Sequence, residues 1–266
     1  MVGQDAIMNS LQNRIDEGSL PQFIILYGEK GSGKTLIAKE LAKMLGYNLY
    51  VSDNSMNNVQ EVLNTAYISR YKSVYVFNAD EMTVHCKQSL LKVTEEPPKN
   101  AIFVLKCSND RNLPITLANR GQILSLKWYS NDELQEFYET LEHKDERILK
   151  YCSTPGQMLE IDRSDPTKFF DFCELIRDNI ANVTEVNALK CTEHFKLKRD
   201  GDGFDGETVL QVLRNMFYDI AIETRSNAYG DAYEYTVQAL SDYNIQGMSR
   251  KMIIDHLIIN LRKVLR

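Results

Sequence analysis

The sequence lacks long apolar runs, and none approaches the roughly 18 residues that a membrane-spanning helix needs. Its first residues, Met1 to Asp5, also lack the basic and apolar regions of a secretory signal. We therefore expect a protein that works inside a cell and has no membrane partner. The chain has 266 residues, of which 43% are hydrophobic, and this is enough to form the cores of one to three domains.

Cysteine is scarce and widely spaced. The five cysteines are odd in number and never fall within zinc-ligand spacing of one another, which argues against a disulfide framework and a cysteine-based metal site. We expect reduced, mostly buried thiols at Cys86, Cys107, Cys152, Cys173 and Cys191.

A basic surplus is absent as well. The formal net charge is −6, whereas proteins that hold nucleic acid alone usually carry an excess of Lys and Arg. We therefore do not expect the chain to bind DNA by itself. Within an assembly, a local basic group could contribute from the first half of the chain, which contains Lys72, Lys87, Lys92, Lys99, Lys106 and Arg111.

The most specific motif that is present is a glycine-rich run between an apolar stretch and a helical pattern. It reads Gly28-Glu29-Lys30-Gly31-Ser32-Gly33-Lys34-Thr35, after Phe23–Tyr27 and before the pattern from Leu36 to Leu45. Glycines let several backbone N–H groups face one centre, next to the positive end of a helix. The run is typical of a nucleotide-phosphate loop, in which Lys34 reaches the β and γ phosphates and Thr35 binds Mg²⁺. The alternative is a glycine-rich turn without a ligand.

Apolar runs of strand length alternate with helical patterns in the first half, which predicts an α/β domain with a mainly parallel sheet. The predicted strands are Phe23–Tyr27, Asn48–Val51, Val74–Phe77, Ile102–Cys107 and Gln122–Lys127, with helices at Val59–Ile68 and His85–Val93. Ligands of such sheets bind at the carboxyl ends of the strands. Gly28, Asn78 and Ser108 are expected to lie there.

After Trp128 the patterns predict helices only. They cover residues 131 to about 141, then Glu146–Tyr151, Gln157–Ile161, Phe169–Ile180, Val183–Phe195, Thr208–Arg225, Ala232–Tyr243 and Met248–Leu265. We predict three domains: a nucleotide-binding α/β domain at 1–128, a small helical domain at 129–165 and a second helical domain at 166–266.

Several segments resemble one family. Val74–Thr83 followed by Ser89–Pro98, with its Leu-Leu-Lys and Glu-Glu-Pro-Pro sequences, is similar to the bacterial DNA polymerase III clamp-loader subunits gamma and delta-prime. Leu113–Gly121 resembles the stretch that ends in the family's Ser-Arg-Cys motif, and Val2-Gly3-Gln4 resembles its opening Val-Gly-Gln. The Ser153-Thr154-Pro155-Gly156 stretch resembles delta-prime more closely than gamma, because Gly156 replaces the arginine of the gamma second sensor.

The resemblance implies an AAA+ subunit of a five-membered ring that binds ATP and Mg²⁺, opens a sliding clamp and closes it around primer-template DNA. It implies that the helical domain at 129–165 is a lid and that the helical domain at 166–266 is a collar that mediates oligomerisation. It implies a cytoplasmic location, in a bacterial cell or a virus-infected bacterial cell. Arg120 takes the position of an arginine finger that completes a neighbouring subunit's site, and Ser108 that of the first sensor.

The sequence departs from the family where hydrolysis needs carboxylates. Asn78 and Ala79 stand at the positions of the magnesium-organising acid and of the glutamate that activates water. Asn78 can still hold a magnesium-bound water, whereas alanine accepts no proton. Asp80 and Glu81 could substitute for them only if a bulge shifted the strand register. We therefore predict nucleotide binding with weak or absent hydrolysis.

Three alternatives remain open from the sequence. The first is a fully active gamma-like motor that uses Asp80 or Glu81. The second is a structural bracket of the same assembly that binds no nucleotide. The third is another AAA+ protein of DNA metabolism, such as a helicase loader or a Holliday-junction motor, although those lack the closure at residues 95–98.

Overall fold

The computed structural model describes residues 3–182, 184–190, 193, 195, 196, 203–245 and 247–266. The chain divides into two compact units, Met1–Glu133 and Leu134–Arg266. The first unit contains a sheet covered by helices, and the second is almost entirely helical.

The first unit contains a five-stranded parallel sheet in the order β2-β3-β4-β1-β5. The strands are β1 (Phe23–Tyr27), β2 (Asn48–Val51), β3 (Ser73–Asn78), β4 (Ala101–Cys107) and β5 (Gln122–Ser125). The helices are α1 (Asp5–Asp16), α2 (Lys34–Leu45), α3 (Met56–Ile68), α4 (Val84–Glu95) and α5 (Ile115–Ala118), with a 3₁₀ turn at Asp110–Asn112. The predicted α/β class and its five strands are confirmed, although β5 ends two residues earlier than predicted.

Alternate residues of the central strands pack on opposite faces of the sheet, as the two-residue period of a strand requires. Ile102 and Val104 of β4 pack with Ile37 and Leu41 of α2, whereas Phe103 packs on the other face, in the cluster that includes residues of α3 and α4. The same alternation continues to the end of β4. Position 106 therefore lies on the face that α2 covers.

The second unit contains eight helices in its described part, counting α6, which begins just before the division. They are α6 (Asn131–Tyr138), α7 (Glu146–Tyr151), α8 (Pro155–Arg163), α9 (Pro166–Asn179), α10 (Glu185–Lys190), α11 (Gly206–Thr224), α12 (Asn227–Tyr243) and α13 (Arg250–Val264). The predicted lid and collar fall largely within this one unit, and their division near residue 165 stays a prediction.

Two expectations about this unit are wrong. A short parallel pair, β6 (Phe195–Lys196) and β7 (Phe204–Asp205), lies between α10 and α11, although no strand was predicted there. A helix was predicted over Val183–Phe195, but among its described residues Glu185–Lys190 form α10 and Phe195 belongs to β6. The physical reason is tertiary packing, because the rings of Phe195 and Phe204 contact Phe172 of α9 and favour the extended backbone at these two positions.

The cysteine prediction is confirmed for the four thiols that the structure describes. Cys86, Cys107, Cys152 and Cys173 are buried and unpaired by disulfides, and burial raises the pKa of the Cys107 thiol to about 12. Cys191 lies outside the described residues. Within the described part of the chain, no helix is long and apolar enough to cross a membrane.

Candidate functional site

The glycine-rich loop lies at the carboxyl edge of the sheet. The strands β3, β4 and β1 are parallel neighbours, and they end at Asn78, Cys107 and Tyr27. The loop follows β1 directly, and Ser108 follows β4. The sequence predicted that the loop, Asn78 and Ser108 would lie together at the carboxyl ends of the strands. The order of the strands places them there.

The conformation of the loop requires glycine at two points. Gly31 and Gly33 adopt left-handed backbone angles, with φ of 83° and 94°. Gly33 is also the N-cap of α2, so the N–H groups of the first helical turn open toward the loop. This arrangement gives a small anion a set of backbone donors at a helix N-terminus.

The side chain of Lys34 folds back onto the glycine-rich loop. Its Nζ donates to the carbonyl oxygens of Gly28 and Glu29 at 2.6 and 2.8 Å and to Ser108 Oγ at 2.9 Å. The residue is only 8% exposed although it is charged. The ammonium is therefore held inside the loop by neutral oxygens, which a phosphate oxygen can replace.

Ser32 provides an independent sign of an incomplete site. Its Oγ is the one buried side-chain oxygen or nitrogen without a hydrogen-bond partner in the part of the chain that the structure describes. Its carbonyl accepts a hydrogen bond from Tyr129 Oη at 2.9 Å. The ring of Tyr129 in turn packs on Gly3, where an added Cβ would come within 2.6 Å of it.

Asp80 holds the backbone of Ser108, the residue predicted to be the first sensor. Asp80 Oδ2 accepts from the Ser108 N–H at 2.8 Å, and Asp80 Oδ1 accepts from Asn112 Nδ2 at 3.1 Å. The buried side chain of Lys87 lies close by, and its pKa is lowered by burial while the carboxylate of Asp80 opposes that shift. Asp80 is therefore a positioning residue for Ser108.

The bulge that would bring Asp80 and Glu81 into the family's catalytic positions is absent. β3 pairs with β4 in unbroken register up to Asn78, which lies opposite Lys106. Ala79 follows as a fully buried residue, and its N–H donates to the Lys106 carbonyl at 2.8 Å. The structure therefore leaves Asn78 and Ala79 in the register that the sequence predicted for them.

Asn54 is a site residue that the sequence did not identify. It has a left-handed backbone (φ 65°), and its side chain accepts from the Asn78 N–H and donates to Glu81 Oε2, each at 2.8 Å. It therefore connects the end of β3 to Glu81. The polar pair Asp53-Asn54 just after a predicted strand was the available signal.

Lys106 is the second residue that the sequence did not place in the site, since it was one of several lysines considered for DNA. Its Nζ donates to Thr35 Oγ1 at 3.0 Å. Burial lowers the pKa of this ammonium, and the nearby carboxylates of Glu81 and Asp80 oppose that shift. The Thr35 hydroxyl, which was predicted to bind Mg²⁺, therefore accepts a hydrogen bond from a positively charged group.

The donor set does not fit a magnesium ion, which prefers carboxylates, water and phosphate oxygens. Thr35 Oγ1 accepts from an ammonium, and Asn78 Oδ1 accepts from the Asp80 N–H at 3.2 Å. Among the described residues, no group of three or more His, Cys, Asp and Glu is arranged to hold a metal ion. The prediction of Thr35 and Asn78 as metal ligands therefore gains no support from the geometry.

Arg120 precedes β5 and so lies at the amino ends of the strands, whereas the glycine-rich loop lies at their carboxyl ends. β5 starts at Gln122, opposite Ile24, so β1 separates Arg120 from the glycine-rich loop by roughly 10 Å or more. Its guanidinium pairs with the Glu95 carboxylate and donates to the Thr116 carbonyl at 3.3 Å. Arg120 therefore does not join the other predicted site residues within this chain.

Comparison with known proteins supports the family resemblance in sequence. The family model of the DNA polymerase III delta subunit matches residues 48–130. The gamma/tau subunit of Mycoplasma pneumoniae DNA polymerase III is 29% identical over 166 residues, which cover 51% of this chain and 24% of the relative. In sequence, the chain is therefore similar to subunits of DNA polymerase III. The gamma subunit of Buchnera aphidicola from Schizaphis graminum is 24% identical, over 58% of this chain and 52% of the relative.

The matches cover only part of each relative and include more than one type of subunit. The chain spans about half the length, or less, of the curated clamp-loader relatives reported above. Gamma-type and delta-type subunits both match, so the comparisons do not separate delta-prime from gamma.

Solved structures agree on the AAA+ fold. A gamma-subunit-related protein of Thermotoga maritima superposes with a TM-score of 0.52 at 13% identity, covering 97% of this chain and 99% of that one. The RuvB Holliday-junction branch-migration motor of Thermotoga maritima gives a TM-score of 0.51 at 16% identity, covering 96% and 88%. At these identities the likeness establishes the fold alone.

Proposed function

We propose that the chain is a clamp-loader subunit that binds ATP at its glycine-rich loop. The observation that carries this proposal is the position of Lys34, whose buried ammonium joins the loop carbonyls to Ser108. The nucleotide would be held by Gly28, Gly31, Ser32, Gly33, Lys34 and Thr35. On binding, phosphate oxygens would replace the loop carbonyls around Lys34 Nζ, and the N-terminal amides of α2 would donate to the same anion.

Hydrolysis by this site is proposed to be weak or absent. A glutamate would have to stand at Ala79 to activate water, and alanine cannot accept a proton. Asp80 accepts hydrogen bonds from Ser108 and Asn112, and Glu81 accepts one from Asn54. Loss of a general base typically lowers a rate by ~10²–10⁴. The subunit would then act by binding nucleotide rather than by consuming it.

The assembly is also part of the proposal. Arg120 is one-third exposed at the edge away from the chain's own loop, which suits a residue that acts on a neighbour's nucleotide. We infer a ring of five clamp-loader subunits that loads a sliding clamp on primer-template DNA. A cytoplasmic location in bacteria fits this role. All the sequence relatives reported above are bacterial, and they lend no support to the second of the two expected settings, a virus-infected bacterial cell.

The binding proposal is tested by calorimetric titration of the full chain with a nonhydrolysable ATP analogue. We expect saturable binding with one site per chain, because the loop is already formed and Lys34 is already in place. The structural-bracket alternative predicts no binding heat and no change in thermal melting. That result would remove nucleotide binding from the account while leaving the fold untouched.

The turnover proposal is tested by steady-state ATPase measurements on the chain alone and with its partner subunits. We expect turnover at this site to be near background, because no carboxylate occupies the base position. The gamma-like alternative predicts a measurable rate in the wild-type chain that Glu81→Gln removes. A rate of that kind would contradict the assignment of Ala79 to the base position.

A further inference from the structure

We propose that Lys106 takes the place of the magnesium ion, so that the nucleotide binds to this subunit without a divalent metal. The inference rests on the proposed ATP site and specifies how that site neutralises the phosphates. Its starting point is the 3.0 Å hydrogen bond from Lys106 Nζ to Thr35 Oγ1.

The location of the ammonium follows from the sheet. Lys106 belongs to β4, where it lies between Leu26 of β1 and Asn78 of β3. Its side chain follows Ile102 and Val104 on the face that α2 covers, which brings its Nζ to the first turn of α2. Lys34, the residue before Thr35, contacts Ser108 on the far side of the same loop. The two lysines therefore reach the candidate phosphate position from two different elements, Lys34 from α2 and Lys106 from β4.

The charge balance supports a substitution of metal by lysine. A Mg²⁺ ion held by one carboxylate contributes a net charge of +1 beside the phosphates. Here Asn78 is neutral and Lys106 carries +1, so these two residues together provide the same net charge as the ion and its one carboxylate. The nearby carboxylates of Asp80 and Glu81 accept hydrogen bonds from Ser108, Asn112 and Asn54, and they are not counted as ligands in this comparison. Ammonium groups donate strong charge-assisted hydrogen bonds to phosphate oxygens.

The surroundings keep Lys106 in this position. Its backbone lies in a central strand, and its carbonyl accepts from the Ala79 N–H at 2.8 Å. The carboxylates of Glu81 and Asp80 lie near enough to favour the charged form of its ammonium. An ammonium fixed there would also repel a divalent cation that approached Thr35.

The first test compares the affinity of the full-length wild-type chain for ATP in excess EDTA and in excess Mg²⁺. We expect the two dissociation constants to agree within about threefold, since a threefold ratio is below 1 kcal/mol. Tenfold or tighter binding in Mg²⁺ would overturn this inference and leave the proposed ATP site standing. No binding in either buffer would contradict the proposed site itself, and the inference would fall with it.

The second test uses Lys106→Met, measured in EDTA. Removing a charge-assisted hydrogen bond is expected to weaken ATP binding by roughly 10- to 100-fold. The matched control is Lys72→Met, an exposed lysine next to the amino end of β3, which should leave affinity unchanged. Unchanged affinity in Lys106→Met would overturn the inference.

A third test restores a possible magnesium site. In the double variant Asn78→Asp with Lys106→Met, a carboxylate returns and the competing ammonium is gone. We expect Mg²⁺ then to tighten ATP binding by about tenfold or more. Thermal melting of each variant shows whether it folds, and the wild-type comparison remains decisive if a variant does not. A folded double variant without any Mg²⁺ dependence would contradict the proposed role of Lys106.

Discussion

Replacing Lys34 with alanine is expected to weaken ATP binding by at least about a hundredfold. The ammonium is the buried cation of the loop, and three hydrogen bonds fix it at the candidate phosphate position. Charge-assisted hydrogen bonds contribute about 1.5–3 kcal/mol each, and a bound triphosphate would accept more than one of them. Calorimetry with a nonhydrolysable ATP analogue measures the loss directly.

The control for this variant is Lys39→Ala. Lys39 lies on the same helix, α2, but is exposed, so its removal should change neither affinity nor thermal stability appreciably. Lys34→Ala also removes the contacts to Gly28 and Ser108, and its melting temperature must therefore be measured alongside its affinity. A folded Lys34→Ala protein that binds ATP as tightly as wild type would contradict the assignment of the loop.

Replacing Arg120 with alanine is expected to lower the ATPase rate of the assembled complex by roughly 10³-fold at the site that Arg120 completes. This magnitude is at the lower end of what an arginine finger contributes. The chain's own affinity for ATP should not change, because Arg120 lies at the opposite edge of the sheet from Lys34. The measurement is steady-state ATPase of the complex reconstituted with its partner subunits.

Two comparisons separate this role from a structural one. Glu95→Gln removes the charge partner of Arg120 and keeps the guanidinium, so the ATPase rate of the complex should stay within a few-fold of wild type. Arg70→Ala removes an exposed arginine elsewhere in the same unit and should have no effect. An Arg120→Ala complex with an unchanged ATPase rate would refute the finger in trans.

The sheet and the loop could be predicted because they depend on local patterns. Apolar runs such as Phe23–Tyr27 and Ala101–Cys107 are buried on both faces, and buried parallel strands read as continuous hydrophobic segments. The glycines of the loop stand where the backbone needs left-handed angles. Helix α1 was left without a prediction although Ile7, Leu11 and Ile15 have helical spacing.

The contacts inside the site could not be predicted, since they depend on which strands are neighbours. Lys106 meets Thr35 only because β4 lies next to β1, and the sequence separates these two residues by 71 positions. Asn54 contacts Asn78 and Glu81 because β2, which precedes Asn54, lies next to β3. For Lys106, the visible signal was a charged residue within an otherwise apolar strand.

The role of Asp80 shows the same limit. From the sequence, Asp80 and Glu81 were candidates for hydrolysis on the condition of a bulge in β3. The regular pairing of β3 with β4 removes that condition, and Asp80 instead binds the backbone of Ser108. A strand's register depends on its partner, so a bulge cannot be read from one strand alone.

We propose above that this subunit holds ATP without consuming it. To measure this directly, the full chain is incubated with labelled ATP, alone and with its partners, and the nucleotide that is retained on this subunit after rapid separation is identified. We expect one retained nucleotide per chain, recovered as ATP and lost in Lys34→Ala. Recovery as ADP, or no retained nucleotide under any of these conditions, would contradict the proposal.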